Sequence, residues 1–276
     1  MAIAEIACEP PSVASKLASL GEAKRCGRKL AALTAYDYPS ARILDACGVD
    51  MILVGDSLGM VVLGYEDTTW VTLEEMEHHT RACRRAVQQA LLVGDLPYRT
   101  YETPEQAVAS ARRLVGAGAD AVKLEGGAAK VSQVRAILSA GIPVIGHIGM
   151  LPQQVRVEGG YKKKGKTGEE AENLIADAVA LEAAGVVAMV LESMVATVAG
   201  KITARVGVPT IGIGAGDGCD GQILVLHDLI GAFPWFRPKF ALNLADVASE
   251  TERAVRQYVE IVRSEAAPRS DAPNPL

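Results

Sequence analysis

LLVGDLPYRTYETPEQAVASARRLVGAGADAVKLEGG, residues 91–127, is the stretch on which the fold turns. It opens with the apolar run LLVGDLP (91–97) and closes with a second, AVKLEGG (121–127). Runs apolar on both sides suit strands buried on both faces, as in a parallel sheet. Between them TPEQAVASARRLVGAGA (103–119) starts as helices start, with Thr103 as cap, Pro104 first inside and Gln106 three residues after the cap. It ends among glycines, as helices end. The unit reads strand, helix, strand, and a crossover of that kind makes the two strands parallel.

Working outward, the unit recurs. Strand-like runs stand at KLAALTAYD (29–37), MILVGDS (51–57), PVIGHIG (143–149), VVAMVLES (186–193), PTIGIGAG (209–216) and ILVLHD (223–228), and a second helix pattern at GEEAENLIADAVALEAAG (168–185). With the two runs above this makes eight. Eight alternating units predict an α/β fold, a single (β/α)8 TIM-type barrel; an open doubly wound sheet is the structural alternative. A further helix is expected at 11–20, ahead of the repeat. One catalytic domain is expected over 1–265, with a disordered tail over 266–276, where Pro, Ala and Ser dominate. The longest connections, 58–72 and 148–167, are read as functional lids or oligomer contacts.

The length of 276 residues is ordinary for one such barrel, which takes about 250. A net charge of −5 argues against a nucleic-acid surface. The apolar runs fall well short of the roughly 20 residues of a membrane-spanning helix. Five cysteines without a C-x-x-C spacing, and no signal peptide, point to a reduced, cytoplasmic setting. The basic run Lys162-Lys163-Lys164 with Lys166 is either a solvated loop or a patch that meets an anionic ligand.

A barrel of this kind does its chemistry at the carboxyl ends of its strands. Those ends carry Tyr36-Asp37, Asp56-Ser57, Asp95, Lys123 with Glu125, His147, Glu192-Ser193 and His227-Asp228. Any one Asp here has an ordinary alternative, capping the helix that follows. Acids on successive strands are harder to dismiss, because buried carboxylates need a cation, a proton or donors. Asp56, Asp95 and Glu125 are hard oxygen ligands that suit Mg²⁺. Lys123 shares a strand face with Glu125. It is read as an electrostatic group rather than a Schiff-base nucleophile, since neighbouring acids keep it charged. Glu192, after an apolar run, suits a general base, with a salt bridge or cap as the alternative. His147, between glycines, suits a bond to a substrate oxygen or to backbone. The glycine-rich GIGAGDGCDG (212–221) is read as a backbone-lined pocket wall and not as a dinucleotide site.

Taken together, LTAYDYPSA, LVGDSLGMVVLGYEDT, GDLPY, AVKLEGG, PVIGHIGMLPQ, GGYK, LEAAGVVAMVLE and PTIGIGAGDGCDGQILVLHDLIG resemble the ketopantoate hydroxymethyltransferase family from about Lys29 to Phe240. The resemblance implies transfer of a one-carbon unit from 5,10-methylenetetrahydrofolate to 3-methyl-2-oxobutanoate, leaving tetrahydrofolate. It implies Mg²⁺ on Asp56, Asp95 and Glu125, substrate contacts from Asp56, Ser57, Asp95, Lys123 and His147, and Glu192 as the base. It implies a homo-oligomer, a decamer in known members. GGYKKKGKT and AFPWFRPKF depart from the family's usual run. Two other readings compete: a PEP mutase or isocitrate lyase-like Mg-dependent enolate enzyme, for which the cysteine expected between Lys123 and His147 is missing, and a metabolite-binding barrel without catalysis.

Overall fold

A computed structural model describes residues 10–264; the first nine residues and the expected tail lie outside them. The chain forms two compact units, the first ending at Leu226 and the second starting at His227.

In the first unit eight parallel strands close into a barrel in sequence order. They are β1 (Leu30–Thr34), β2 (Met51–Val54), β3 (Leu91–Asp95), β4 (Ala121–Glu125), β5 (Val144–Gly149), β6 (Ala188–Glu192), β7 (Thr210–Ile213) and β8 (Gly221–Leu224). The helices of this unit are α1 (Val13–Cys26), α2 (Tyr38–Ala46), α3 (Leu58–Val61), α4 (Leu73–Arg84), α5 (Pro104–Gly116), α6 (Val131–Ser139), α7 (Val155–Glu158), α8 (Gly168–Ala184) and α9 (Ala196–Arg205). The caps of α5 form as expected, with the Thr103 hydroxyl accepting the Gln106 N–H at 3.2 Å. The connection 58–72 holds α3 and a single turn at Thr68–Trp70, and 148–167 holds a turn at Pro152–Gln154 and α7, so neither is a bare loop.

Side chains alternate across a strand, so every second residue enters the barrel. Leu30, Ala32, Met51, Leu53, Leu91, Val93, Ala121, Ile145, Ala188, Val190, Ile211 and Ile223 fill it. Carried two residues further, the same faces reach Asp95, Lys123, His147 and Glu192, and Glu125 beyond Lys123. The polar layer is thus the continuation of the apolar one.

The helix expected at 11–20 is α1, which runs on to Cys26. Its Leu20 and Ala23 belong to the barrel core. Lys16 Nζ lies 3.1 Å from Asp120 Oδ2 and donates to Ala90 O, while Lys24 Nζ lies 2.8 Å from Asp220 Oδ2. Both aspartates immediately precede strands, so α1 is tied across the amino-terminal end of the barrel.

Two strand-end assignments change. β8 covers Gly221–Leu224, and His227-Asp228 sit in the short helix α10 (Leu226–Leu229) rather than at a strand end. Run eight ends earlier because Leu226 N–H bonds the Thr34 hydroxyl at 3.0 Å instead of continuing the ladder. Asp37 is exposed and caps α2, its carboxylate accepting the Ser40 N–H at 2.8 Å, which is the ordinary role of such an Asp. In the second unit α11 (Val247–Arg263) carries no buried residue.

Candidate active site

Strand register brings the charged groups together. Asp95 is paired with Lys123 across β3 and β4, and Glu125 with His147 across β4 and β5. Accordingly Lys123 Nζ lies 2.9 Å from Asp95 Oδ1 and 3.2 Å from His147 Nδ1. Lysine only donates, so His147 Nδ1 accepts and its proton sits on Nε2. That nitrogen is 3.2 Å from Glu192 Oε2, close but not in line for a full hydrogen bond. The order Asp95, Lys123, His147, Glu192 therefore crosses one pocket, which Asp56, Ser57 and Glu125 also line.

Asp56 follows β2, where its N–H donates to Asp95 Oδ2 at 3.2 Å. Ser57 Oγ lies 2.8 Å from the Tyr36 hydroxyl. Gln153 organises the acids: its backbone N–H donates to Glu125 Oε2 at 3.0 Å, and its side-chain amide to Asp56 Oδ2 at 2.8 Å and Leu96 O at 3.0 Å. The Tyr101 hydroxyl in turn bonds the Gln153 amide oxygen. Glu192 owes its position to Gly149, which pairs with it across β5 and β6. Gly149 has φ 103°, and a Cβ there would stand 2.2 Å from Glu192 O. Only glycine permits so close an approach in that conformation.

The sequence reading gathered Asp56, Ser57, Asp95, Lys123, Glu125, His147 and Glu192, and all of them line this pocket. The glycine-rich segment contributes Ile213 to its wall. Gln153, Tyr101 and Tyr36 had no role in that reading. A glutamine after a Leu-Pro step carries no sign that it will be 1% exposed, so sequence offers no signal for it.

The charge balance is uneven. Asp56, Asp95, Glu125 and Glu192 face one ammonium, and all but Glu192 are fully buried. Burial, and after it the Asp95 carboxylate, pushes the Asp56 carboxyl from its ordinary 3.8 up to about 8. Burial pushes Glu125 well above the carboxylate range, with Asp56 and Asp95 adding to it against Lys123. Burial disfavours the Lys123 ammonium, but Asp95, Glu125 and Asp56 outweigh it and hold Lys123 above its usual value. A lysine so held stays charged and is a poor nucleophile. Burial, then Lys123, lowers the His147 imidazole, which keeps it neutral. Among the described residues Glu125 Oε1 is buried without a hydrogen-bond partner; His147 Nδ1, which carries no proton, stands 3.7 Å from it. Among the described residues no three acid, histidine or cysteine side chains form a ready coordination shell. Asp56 Oδ2 is taken by Gln153, and Asp95 Oδ1 by Lys123.

The family model described as ketopantoate hydroxymethyltransferase matches residues 14–270. The chain belongs to that family. Among ketopantoate hydroxymethyltransferase relatives, the 3-methyl-2-oxobutanoate hydroxymethyltransferase of Thermoanaerobacter sp. (strain X514) is 53% identical over 89% of this chain and 90% of its own length. That of Ignicoccus hospitalis is 54% identical over 86% and 90%. Solved structures share the barrel at much lower identity. The phosphoenolpyruvate phosphomutase of Streptomyces platensis subsp. rosaceus aligns with TM-score 0.63 at 15% identity, covering 95% of this chain and 92% of that one. A 2,3-dimethylmalate lyase of the PEP mutase/isocitrate lyase superfamily aligns with TM-score 0.58 at 18% identity, covering 93% and 90%. Likeness at that level is one of fold. It leaves membership in the ketopantoate hydroxymethyltransferase family as the finding that separates this chain from the mutase and lyase reading.

Proposed function

We propose that the chain transfers a hydroxymethyl group to 3-methyl-2-oxobutanoate, giving 2-dehydropantoate in the first step of pantothenate biosynthesis, with 5,10-methylenetetrahydrofolate as donor and Mg²⁺ as the metal. The observation that carries this reading is the line Asp95, Lys123, His147, Glu192 across one pocket, with surplus acid on one side and a carboxylate base on the other.

A divalent cation suits the acidic side. Asp56, Asp95 and Glu125 are oxygen donors with more negative charge than Lys123 can balance, and Glu125 Oε1 lacks any donor. These three would hold the ion once Asp56 and Asp95 exchange their present partners for it. When bound, it supplies Lewis-acid stabilisation of the negative charge that develops on the keto oxygen. The chain's own groups do the rest. The Lys123 ammonium attracts the substrate carboxylate, and the Ser57 hydroxyl lines the same pocket. Glu192 takes the proton from the carbon next to the ketone, and neutral His147 beside it fixes its orientation. Leu53, Val190, Ile213 and Ile223 form an apolar wall that keeps water from the carbanionic carbon.

A homo-oligomer, a decamer as the family resemblance implies, is part of the same reading. It is supported by α11, where Val247, Val255, Tyr258 and Val262 stand exposed. A cytoplasmic setting agrees with the free thiols of Cys26, Cys47, Cys83 and Cys219. Among the described residues no helix is long and apolar enough to cross a membrane. The deciding experiment is an assay of folate-dependent conversion of 3-methyl-2-oxobutanoate. Product should form with Mg²⁺ and stop with EDTA; no product with Mg²⁺ and folate present would end the reading.

A further inference from the structure

Beside the reaction pocket lies a second groove with a different character. Its walls are Thr69, Trp70, Tyr98, Arg99, Arg156 and Val157. The two share their edges: Thr68 and Pro152 line the pocket, and Thr69, Trp70 and Arg156 follow them in the chain. The groove is held in shape by the buried Asp67 carboxylate. It accepts the Thr69 N–H at 2.9 Å and Arg156 Nε at 2.8 Å, tying the Thr68–Trp70 turn to α7. Among the described residues no carboxylate bonds the terminal nitrogens of Arg156, and the guanidinium stands 4.5 Å from the centre of the Trp70 ring. Trp70 is 55% exposed, so much of its ring stays open beside the Arg156 guanidinium.

Arg99, which also lines the groove, stands over the Tyr98 ring at 5.1 Å and has no acidic partner among the described residues. It occupies φ 63°, third in a turn closed by Thr100 N–H to Pro97 O at 3.2 Å, a place where glycine would sit without strain. The chain thus keeps an unpaired guanidinium at a position whose backbone favours another residue. Two aromatic faces with two available guanidiniums suit a ligand that is flat, aromatic and anionic.

We infer that this groove holds the p-aminobenzoyl-glutamate arm of the folate donor, an assignment that rests on the function proposed above. The chemistry of the donor makes the fit specific. Its one-carbon unit joins the pterin to the nitrogen of the p-aminobenzoyl ring. When that carbon meets the keto acid, the ring and its glutamate must extend away over the rim. The rings of Trp70 and Tyr98 receive the benzoyl face, and Arg99 and Arg156 receive the glutamate carboxylates. The other basic stretch serves less well. Lys164 pairs with Glu158 Oε2 at 2.6 Å and Lys162 bonds Glu158 O. Lys163 and Lys166 are exposed, without a cation–ring contact among the described residues.

The test compares kcat/KM for 5,10-methylenetetrahydrofolate and for 5,10-methylenetetrahydropteroate, which lacks the glutamate. The parent enzyme should favour the first by about tenfold or more, the scale of a lost charge-assisted bond. In Arg99→Gly, which suits the turn's backbone, that preference should fall severalfold, with Arg156 keeping the remainder. Trp70→Leu should raise KM for both donors, since both carry the benzoyl ring. A parent without preference, or an Arg99→Gly enzyme that keeps it, overturns the groove assignment while leaving the transferase reading intact. So does a preference that collapses in Lys163→Ala instead. A parent that uses neither donor overturns both.

Discussion

Glu192 and Asp56 are both carboxylates, yet the pocket gives them different work, and substitution separates the two. Glu192→Gln keeps the shape and the contact to His147 but removes the proton acceptor. Turnover should fall by roughly a hundredfold to ten-thousandfold, the usual weight of a general base. Mg²⁺ binding, measured by calorimetry, should persist; unchanged turnover would remove Glu192 from the role. Asp56 carries a pH signature. Its carboxyl is pushed from 3.8 to about 8, so the protonated form is favoured in the fold. The stability this lends is complete below about 4 and is lost as pH climbs through about 8. Metal-free protein should therefore unfold at lower temperature at pH 8.5 than at pH 6. Mg²⁺, which takes the ionised acids, should offset most of that fall, and its affinity should rise over the same window. Equal pH dependence with EDTA and with Mg²⁺ would contradict this. At this scale the acids, Lys123 and His147 were legible because each stands at the end of an apolar run. Gln153 was not, because its importance comes from a fold-back across the barrel mouth: its side-chain amide meets Asp56, a residue 97 positions away.

Among the elements, β5 and β6 show how backbone sets the site. Gly149→Ala would place a methyl group 2.2 Å from Glu192 O at φ 103°. The strand must shift, and strain of this type costs on the order of 1–3 kcal/mol. The thermal midpoint should drop and turnover should fall more than the lost folded fraction explains, because the displaced residue is Glu192. Turnover per folded molecule equal to the parent's would show that β6 absorbs the shift elsewhere. Reading each apolar run to its closing acid placed the strand ends that reach the site, Asp95, Glu125 and Glu192. It failed at ILVLHD, where apolar character continues past Leu224 into α10 and sequence alone cannot mark the change from strand to helix. Asp37 looked like Asp56 in sequence; only the extended backbone at φ −146° makes it a cap.

At the scale of the first unit, catalysis and stability occupy opposite ends of the barrel, as expected for this architecture. Lys16 and Asp120 are buried at the amino-terminal end, with side chains 6% and 9% exposed. Lys16→Ala leaves Asp120 paired with Arg84 alone, at 2.9 Å. The loss should approach 3–5 kcal/mol, the scale for breaking a buried pair, reduced by the Arg84 contact. Denaturant unfolding should register it, while KM for 3-methyl-2-oxobutanoate stays at the parent value; a changed KM would mean the two ends are coupled.

The tie between α1 and Asp220 also bears on how the chain comes into being. Lys24 and Asp220 are 196 residues apart, so α1 cannot complete its anchor until nearly the whole barrel has been synthesised. Leu17, Leu20 and Ala23 must wait uncovered through that interval. Contacts of such long sequence separation form late and slowly. During synthesis α1 therefore stays open to chaperones until the barrel end that it closes is in place.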